Sequence, residues 1–312
     1  MITVLAGGVG AARFLKGLVD VVPADEITAI VNVGDDLELH GLHISPDLDT
    51  VTYTLAGAIN TETGWGLTGE SWQAMASLER YGGLSWFRLG DRDLGTHLYR
   101  TQRLAEGAAL STVTAEIAQA WELGLRLLPA SDDPVRTMVT VDDNTGNATE
   151  IGFQDYFVGR QHSVAVSAVR FAGADEARPG PGVLDAIERA DAIVIAPSNP
   201  IVSIGPLLAI PGLRDAVAAR RPQTVAVSPI VAGAALKGPA DRMLRELGHE
   251  SSVVGVARMY ADLASVLVID DADAALAPDV EAAGLRCVVV PTVMSSSEIA
   301  AALARTTIEA VR

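Results

Sequence analysis

The chain has 312 residues, enough to bury a full core in one large α/β domain or in a domain that carries an insertion. Its formal net charge of −16 at pH 7 argues against nucleic acid and against an anionic membrane surface as partners. The single cysteine, Cys287, excludes an internal disulfide framework, and the lack of a secretion signal or a membrane-length apolar stretch predicts a cytoplasmic protein.

The first predicted unit is a strand, a glycine turn and a helix, which is the opening of a nucleotide-binding βα unit. Apolar residues 2–5 precede a turn that contains Gly7, Gly8 and Gly10, and apolar residues then recur at helical spacing. Such glycines let the backbone approach a phosphate, which the free N–H groups of the first helical turn can receive. The dinucleotide fingerprint is incomplete, because Arg13 stands where glycine or alanine is expected, and the Lys-Ser/Thr ending of a P-loop is missing.

The second predicted strand, residues 27–31, leads into an acidic stretch, NVGDDLELHGLHISPDLD. This acidic loop, residues 32–49, contains Asn32, Asp35, Asp36, Asp47 and Asp49. Clustered aspartates repel one another unless a cation lies among them, and no histidine or cysteine there has zinc-ligand spacing. The pattern therefore predicts an ion held by oxygens, Mg²⁺ above all; turn formation and helix capping, as at Asp47 after Pro46, are the structural alternative.

A dehydrogenase would need an acidic residue near the end of this second strand to hold a ribose. Asn32 occupies that neighbourhood, with Asp35 and Asp36 slightly beyond it. Nicotinamide binding is therefore poorly supported, and Asn32 is a candidate contact for a different nucleotide.

Residues 50–135 are mostly helical in pattern and predict an inserted segment that covers the sheet edge and contributes a binding site. The predicted helices are residues 51–55, 74–81, 96–105 and 113–125. Within the insertion, the segment WFRLGDRD, residues 86–93, combines two aromatic residues with alternating charges. That surface suits a flat ring and an anion, so Trp86, Arg88, Asp91 and the nearby His97 are candidate contacts. A loop with a buried tryptophan and an internal Arg–Asp pair fits the composition equally well.

The rest of the chain predicts an antiparallel extension and then a return to strand–helix alternation. Residues 138–141 and 150–153 flank a turn at 142–147, and residues 164–171 add a strand. Strands are then predicted at 192–196, 224–227, 253–256, 266–269 and 287–290, with helices at 182–189, 213–220, 241–247 and from Ser295. This alternation indicates a doubly wound, mainly parallel, Rossmann-like α/β sheet, so we expect one nucleotide-binding domain, residues 1–312, with its helical insertion at 50–135.

Two strand ends in this half open into polar loops that are binding loops by position. Ser198 and Asn199 carry donors suited to phosphate groups or base edges. Lys237, one of only two lysines, follows the second loop and could reach a phosphate. The alternative is that SNP and SPI are simply good turn sequences.

Blocks of sequence along nearly the whole chain resemble the 2-phospho-L-lactate transferase family, whose actinobacterial members are phosphoenolpyruvate transferases of coenzyme F-420 synthesis. The blocks are AGGVGAARFLKGL, VNVGDDLELHGLHISPDLDTVTYTLAG, WFRLGDRDLGTHLYRT, DDPVRTMV, ARPGPGVL, IAPSNPIVSIGPLLA and SPIVAGAALKGPADRM. The glycine turn is unspecific, but GDRDLGTHLYRT together with the acidic block is hard to meet by chance.

The resemblance implies a reaction. A guanosine diphosphate-linked three-carbon acid gives its phospho-acid group to the terminal hydroxyl of a deazariboflavin, GMP leaves, and Mg²⁺ is required. It also implies that Asp49 and Arg88 contact the deazaflavin acceptor, and that the glycine turn, Ser198 and Asn199 lie on the nucleotide side.

Our own hypothesis assigns further roles. Asp35, Asp36 or Asp49 would hold Mg²⁺ on the diphosphate, and Asp49 would orient or deprotonate the attacking hydroxyl. Asp36 and Arg88 would complete the catalytic set, because phosphoryl-type transfer needs chiefly positioning and charge stabilisation. Lys237 and Asn32 would join the nucleotide side. An arginine- and alanine-rich composition suggests a GC-rich actinobacterial source, and this favours the enolpyruvyl over the lactyl donor.

Two other functions remain open at this point. A nucleotide-sugar-binding regulator with the same glycine turn would perform no chemistry, and a nicotinamide-dependent oxidoreductase would bind NAD over guanine nucleotides. A homodimer is the expected assembly for an enzyme of this kind.

Overall fold

A central parallel sheet with helices on both faces organises the chain, and the computed structural model describes residues 1–142 and 147–311. The strands are β1 (Ile2–Ala6), β2 (Ile27–Val31), β3 (Leu37–Leu39), β4 (Leu42–Ile44), β5 (Arg126–Pro129), β6 (Arg136–Asp142), β7 (Ala148–Gly152), β8 (Val166–Ala172), β9 (Ala192–Ile195), β10 (Thr224–Val227), β11 (Ile230–Val231), β12 (Ala234–Ala235), β13 (Val266–Ile269) and β14 (Arg286–Val289). The α-helices are α1 (Gly8–Leu18), α2 (Pro46–Leu55), α3 (Gln73–Arg80), α4 (Asp93–Ala105), α5 (Leu110–Ala120), α6 (Val183–Glu188), α7 (Gly205–Ala209), α8 (Leu213–Ala219), α9 (Ala240–Glu246), α10 (Val253–Tyr260), α11 (Ala277–Ala282) and α12 (Ser297–Glu309). Short π-helical turns lie at Asp155–Gly159 and Pro200–Ile204.

The order of the central strands confirms the doubly wound, Rossmann-like prediction. In the described residues the sheet runs β14-β13-β10-β9-β1-β2-β5, and every neighbouring pair is parallel. All residues of β1, β2, β9, β10 and β13 are buried, as expected for apolar strands covered on both faces. The chain order reverses between β1 and β9, and the crevice outside their carboxyl ends is where such sheets bind ligands.

One predicted strand is wrong. Residues 253–256 form the first turn of α10, although valines favour strands. The hydroxyl of Ser252 accepts hydrogen bonds from the N–H groups of Val254 and Gly255, at 3.1 and 3.2 Å, and so caps the helix. The valines then bury themselves on the inner face of that helix. The local cap outweighed the β-branched composition.

The helix predicted at residues 113–125 is also wrong at its end, because it extends past Ala120, where α5 ends. Arg126–Pro129 forms β5 and pairs with β2, with Thr28 opposite Arg126. The preceding helix stops at Ala120, and Glu122 adopts a left-handed φ of 54° that no helix can continue. The alternation of exposed and buried residues in β5 is the strand signal that the leucine-rich composition hid.

The segment that covers the sheet edge has a small apolar core of its own. Leu39, Ile44, Met75 and Leu89 are buried together, so the β3–β4 hairpin, which was not predicted, packs with α3 and the loop before α4.

Elsewhere, β7, β6 and β8 form the predicted antiparallel extension, and most of its predicted hairpin turn, residues 143–146, lies outside the described residues. The division into one domain with an insertion at 50–135, and the homodimer, remain predictions.

Among the described residues, no single helix has the length and apolarity to cross a membrane. One pair of helical segments, Pro200–Ala209 and Leu213–Ala219, reaches that length and composition only together, and the pair is bent by 98°.

The packing of α1 on α12 yields a test of stability. A Cβ added at Gly17 would lie 2.5 Å from the carbonyl oxygen of Ala300, whereas a Cβ at Gly95 in α4 would meet nothing within 4 Å. We expect Gly17→Ala to lower the free energy of unfolding by about 1–3 kcal/mol because α12 must move. The matched Gly95→Ala should raise it by roughly 0.5–1 kcal/mol because alanine is the better helix former. Urea denaturation measures both, and equal effects would contradict the tight contact.

Candidate active site

A cleft of about 600 Å³ lies along the carboxyl edge of the central sheet, where β1 and β9 end. The polar and glycine residues that line it include Gly7, Gly8, Gly10, Arg13, Asp35, Asp47, Asp49, Arg88, Asp93, His97, Ser198, Asn199 and Lys237. Four sequence-predicted site residues are absent from this lining: Asn32, Asp36, Trp86 and Asp91. The cleft has a glycine-rich end and an acidic end.

At the glycine-rich end, the turn after β1 is tied to the loop after β9. The hydroxyl of Ser198 donates to the carbonyl of Gly7 at 2.6 Å and lies 3.3 Å from its N–H group. A Cβ at Gly10 would overlap the carbonyl oxygen of Pro197, and Gly8 has a φ of +57°. Glycine is therefore required for the close approach of these two loops. The N-cap residue of α1 has no side-chain cap, and apart from the N–H of Gly8, which donates to Asp47, the N–H groups of the first turn can receive an anion.

Two cationic side chains, Arg13 and Lys237, line the same cleft. Arg13 is exposed on α1, and Lys237 reaches across the cleft until its Nζ lies 2.6 Å from the place of a Cβ on Gly64. Asn199 has a local task, since its Oδ1 accepts a hydrogen bond from the N–H of Ile201 at 2.9 Å and caps the π-helical turn. Positive charge and free N–H groups make this end suitable for phosphates.

At the acidic end, Asp47 connects α2 to the glycine turn. Its Oδ2 accepts a hydrogen bond from the side-chain amide of Asn32 at 2.9 Å, and it also accepts one from the N–H of Gly8. Asn32 in turn accepts a hydrogen bond from the N–H of Gly34 at 2.8 Å. Burial raises the pKa of Asp47 to about 7 against the lowering effect of Asn32. Asn32 therefore acts on the cleft through Asp47.

Asp35 and Asp36 each keep one buried carboxylate oxygen, Oδ1, without a hydrogen-bond partner. The other oxygen of Asp36 accepts a hydrogen bond from Ser45 at 2.9 Å and lies 3.0 Å from His43 Nε2. Burial, with the charges of Asp47 and Asp36, raises the pKa of Asp35 well above its ordinary value. An unpartnered buried carboxylate is costly unless a cation or a proton satisfies it.

A second polar cluster joins α2 to α4 and was largely missed by the sequence reasoning. It consists of Asp49, Tyr53, Asp93, His97 and Arg100, and all five side chains are buried. The Tyr53 hydroxyl donates to Asp93 Oδ1 at 2.6 Å, and His97 lies between Asp93 and Asp49, at 3.3 and 3.6 Å. Arg100 binds both oxygens of Asp49.

Burial and these contacts shift the pKa values of Asp49 and Asp93. Burial raises the pKa of Asp49, and the charges of Arg100 and His97 act against that rise. Burial also acts to raise the pKa of Asp93, but the adjacent His97 and the hydrogen bond from Tyr53 outweigh it and leave that pKa below its ordinary value. One oxygen or nitrogen from each of Asp49, Asp93 and His97 lies within 4.8 Å of the others, which is close enough to share a metal ion.

The aromatic segment 86–93 divides between the cleft and the insertion. Phe87 and Arg88 line the cleft, and the Arg88 guanidinium lies 4.5 Å from the centre of the Trp72 ring. Trp86 packs edge-on against Phe87, with ring centres 5.7 Å apart. Asp91 caps α3 by accepting hydrogen bonds from the N–H groups of residues 73 and 74, at 3.0 and 3.1 Å. Asp91 therefore has a structural partner, but that partner is not an arginine.

Comparison with known proteins gives a consistent result. The model of the family described as 2-phospho-L-lactate transferase CofD matches residues 2–302. A protein named phosphoenolpyruvate transferase from Streptomyces griseus is 49% identical over 310 residues, which cover 99% of this chain and 97% of that protein. A protein of the same name from Mycolicibacterium smegmatis is 43% identical over 315 residues, covering 97% and 96%.

A solved structure shares the fold. Protein BH3568 from Bacillus halodurans aligns with a TM-score of 0.63 and 18% identity over 98% of each chain. At that identity the likeness concerns the fold alone.

The raised pKa of Asp47 predicts how stability changes with pH in the absence of metal. The ordinary value is 3.8 and the folded value about 7, so between them the folded chain holds a proton that the unfolded chain has released. Unfolding then releases that proton, and the free energy of unfolding should fall as pH rises through this window. Urea denaturation in a chelating buffer measures the slope.

Asp47→Asn should reduce this slope, because asparagine keeps an oxygen for the Asn32 amide and does not titrate. The matched control is Asp185→Asn, an exposed residue paired with Arg189, which should retain the slope. An unchanged slope in Asp47→Asn would mean that this carboxylate is ionised across the window.

Proposed function

The chain belongs to the 2-phospho-L-lactate transferase (CofD) family, and from this premise we propose that it transfers a phosphoenolpyruvyl group from a guanosine diphosphate-linked donor to the terminal hydroxyl of 7,8-didemethyl-8-hydroxy-5-deazariboflavin. The acceptor oxygen bonds to the phosphorus of the phosphoenolpyruvyl group, the bridging P–O bond breaks, GMP leaves, and the hydroxyl proton is lost to the medium. The product is an intermediate of coenzyme F-420 biosynthesis.

The observation that carries the proposal is the full-length identity to proteins named phosphoenolpyruvate transferase. Proteins of that name from Streptomyces griseus and Kitasatospora aureofaciens are each 49% identical, over 99% and 98% of this chain. This likeness also favours the enolpyruvyl over the lactyl donor, with a better basis than amino-acid composition. The cleft supports the proposal because it combines a phosphate-binding end with an acidic end that has an aromatic neighbour.

The glycine-rich end is the proposed site of the donor. The N–H groups at the start of α1, together with Arg13 and Lys237, offer fixed positive charge to the diphosphate in a chain whose net charge is −16. Ser198 contributes by tying the two loops together, and Asn199 contributes by capping the turn in its own loop. Backbone groups and the two cations therefore make the principal contacts with the nucleotide phosphates.

The acidic end fits a divalent cation. Asp35 and Asp36 have unpartnered buried oxygens, and the charge of Asp47 acts on Asp35. We assign Mg²⁺ to Asp35 and Asp47, which line the cleft, with Asp36 behind them. The cluster of Asp49, Asp93 and His97 has its ligand atoms closer together, but Arg100 already engages both oxygens of Asp49. When bound, Mg²⁺ would offset the negative charge of the diphosphate.

The acceptor is proposed to lie between Asp49 and the side chains of Phe87 and Arg88, all of which line the cleft. Asp49 would accept a hydrogen bond from the attacking hydroxyl and aim its oxygen at phosphorus. Arg88 would pair with the phospho group in transfer, and Phe87 would pack against the ring. Because such a transfer depends on positioning and charge stabilisation, this set is sufficient without a covalent intermediate on the protein.

The first functional prediction concerns Asp49. Asp49→Asn should lower turnover by at least about 10²-fold because the hydroxyl loses its orienting partner. The fold should persist, and Asp185→Asn serves as a surface control. The assay is release of GMP with the enolpyruvyl donor and the deazaflavin. A wild-type chain that binds guanine nucleotides but transfers nothing would be a regulator, and the proposal would be withdrawn.

The second functional prediction concerns the metal. Asp35→Asn should weaken Mg²⁺ binding in the presence of GDP by about tenfold or more, because the site loses a charged oxygen ligand. Asp93→Asn is the matched comparison, since Asp93 belongs to the other possible metal group. Isothermal titration measures both variants. Stronger weakening in Asp93→Asn than in Asp35→Asn would move the ion to that group.

A further inference from the structure

Helices α2 and α4 face each other through charged side chains that are spaced for this purpose. Asp49 and Tyr53 lie one turn apart on α2, while Asp93, His97 and Arg100 follow one face of α4. Each side chain contacts at least one member of the other helix. Polar contacts therefore connect the two helices.

Arg100 is the most constrained member of this set. Its side chain is 2% exposed, it does not line the cleft, and it is the largest of the fully buried side chains among the described residues. One terminal nitrogen lies 3.1 Å from Asp49 Oδ2, and the other binds Asp49 Oδ1. The guanidinium therefore binds Asp49 without itself lining the cleft.

The fork geometry determines the rotation of the Asp49 carboxylate. A planar guanidinium that binds both oxygens fixes the carboxylate plane, whereas an ammonium binds as a point charge and does not. Arg100 is itself fixed by further contacts. Its Nη1, the nitrogen that binds Asp49 Oδ2, also lies 3.5 Å from the His43 carbonyl and 3.4 Å from His97 Nδ1. Asp49 is consequently presented to the cleft in one orientation.

We propose that Arg100 is a positioning residue of the transfer reaction, which aims the Asp49 carboxylate at the acceptor hydroxyl without touching either substrate. The inference rests on the proposed function, since it assigns Asp49 to the acceptor. A misplaced orienting group costs about 10²-fold in rate even when every group is present. Arg100 therefore affects the acceptor side of the reaction and leaves the donor side unchanged.

A matched control lies on the same helix. Arg103, three residues further along α4, pairs with Glu106 and Glu116 at 2.7 and 2.8 Å, but it is 29% exposed and does not line the cleft. Arg103 binds both oxygens of Glu116, as Arg100 binds both oxygens of Asp49, but Glu116 does not line the cleft. Arg103→Lys therefore makes the same chemical change as Arg100→Lys without the consequence for Asp49.

The experiment is a double-mutant cycle with Arg100→Lys, Asp49→Asn and the double variant, plus Arg103→Lys. Steady-state kinetics gives kcat and KM for each substrate, and titration of the deazaflavin in the presence of GDP gives acceptor affinity. Arg100→Lys should lower kcat/KM for the acceptor by at least about 30-fold, with donor KM within about threefold of wild type. In the Asp49→Asn background, Arg100→Lys should cost less than about threefold more, because it acts through a carboxylate that is gone.

Several outcomes would overturn the inference. These are a loss in Arg100→Lys no larger than in Arg103→Lys, full additivity in the cycle, or an equal rise in donor KM. If Arg100→Lys does not fold, Arg100→Gln replaces it; if neither folds, Arg100 maintains the structure and the positioning role is withdrawn. A wild-type chain without transferase activity would instead refute the proposed function, so the two failures are distinguishable.

Discussion

The site depends on how a chain of strongly negative charge accommodates buried carboxylates beside a phosphate-binding turn. Asp35, Asp36, Asp47, Asp49 and Asp93 are all buried along one edge of the sheet. Among the described residues, Arg100 is the only arginine that is buried to the same degree, and it binds Asp49. Burial raises the pKa of Asp35 and Asp47, whereas the contacts of Asp93 with His97 and Tyr53 lower its pKa. In the proposed function, this local loss of stability allows a cation and an anionic substrate to bind together.

Topology explains why opposite charges can coexist in one cleft. The reversal of strand order between β1 and β9 opens a crevice, and the glycine turn brings helix N–H groups to one side of it. The acidic loop follows β2, the next strand along, so its carboxylates reach the other side. Asp47 connects the two, since it accepts a hydrogen bond from Gly8. The strand order therefore makes the proposed donor and acceptor sites neighbours.

Patterns confined to short stretches were predictable, and pairings between distant stretches were not. The strands β2, β10 and β13 were placed to the residue, because buried parallel strands are continuous apolar runs. The acidic loop and the glycine turn were likewise recognised from composition. Arg100, however, is 51 residues from Asp49, and only the fold shows that they meet. The helical spacing of Asp93, His97 and Arg100 was visible in the sequence, but nothing local identified what that face contacts.

The central position of β1 has a consequence for the order in which the molecule can be completed. β1 precedes every other strand in the chain, yet it pairs with β2 on one edge and with β9 on the other, where Ile2 lies opposite Ala192. During synthesis, the β9 edge of β1 stays open until more than half of the chain has emerged. Closure of the sheet is thus a late, non-local event, and the ligand crevice forms only when the second half docks.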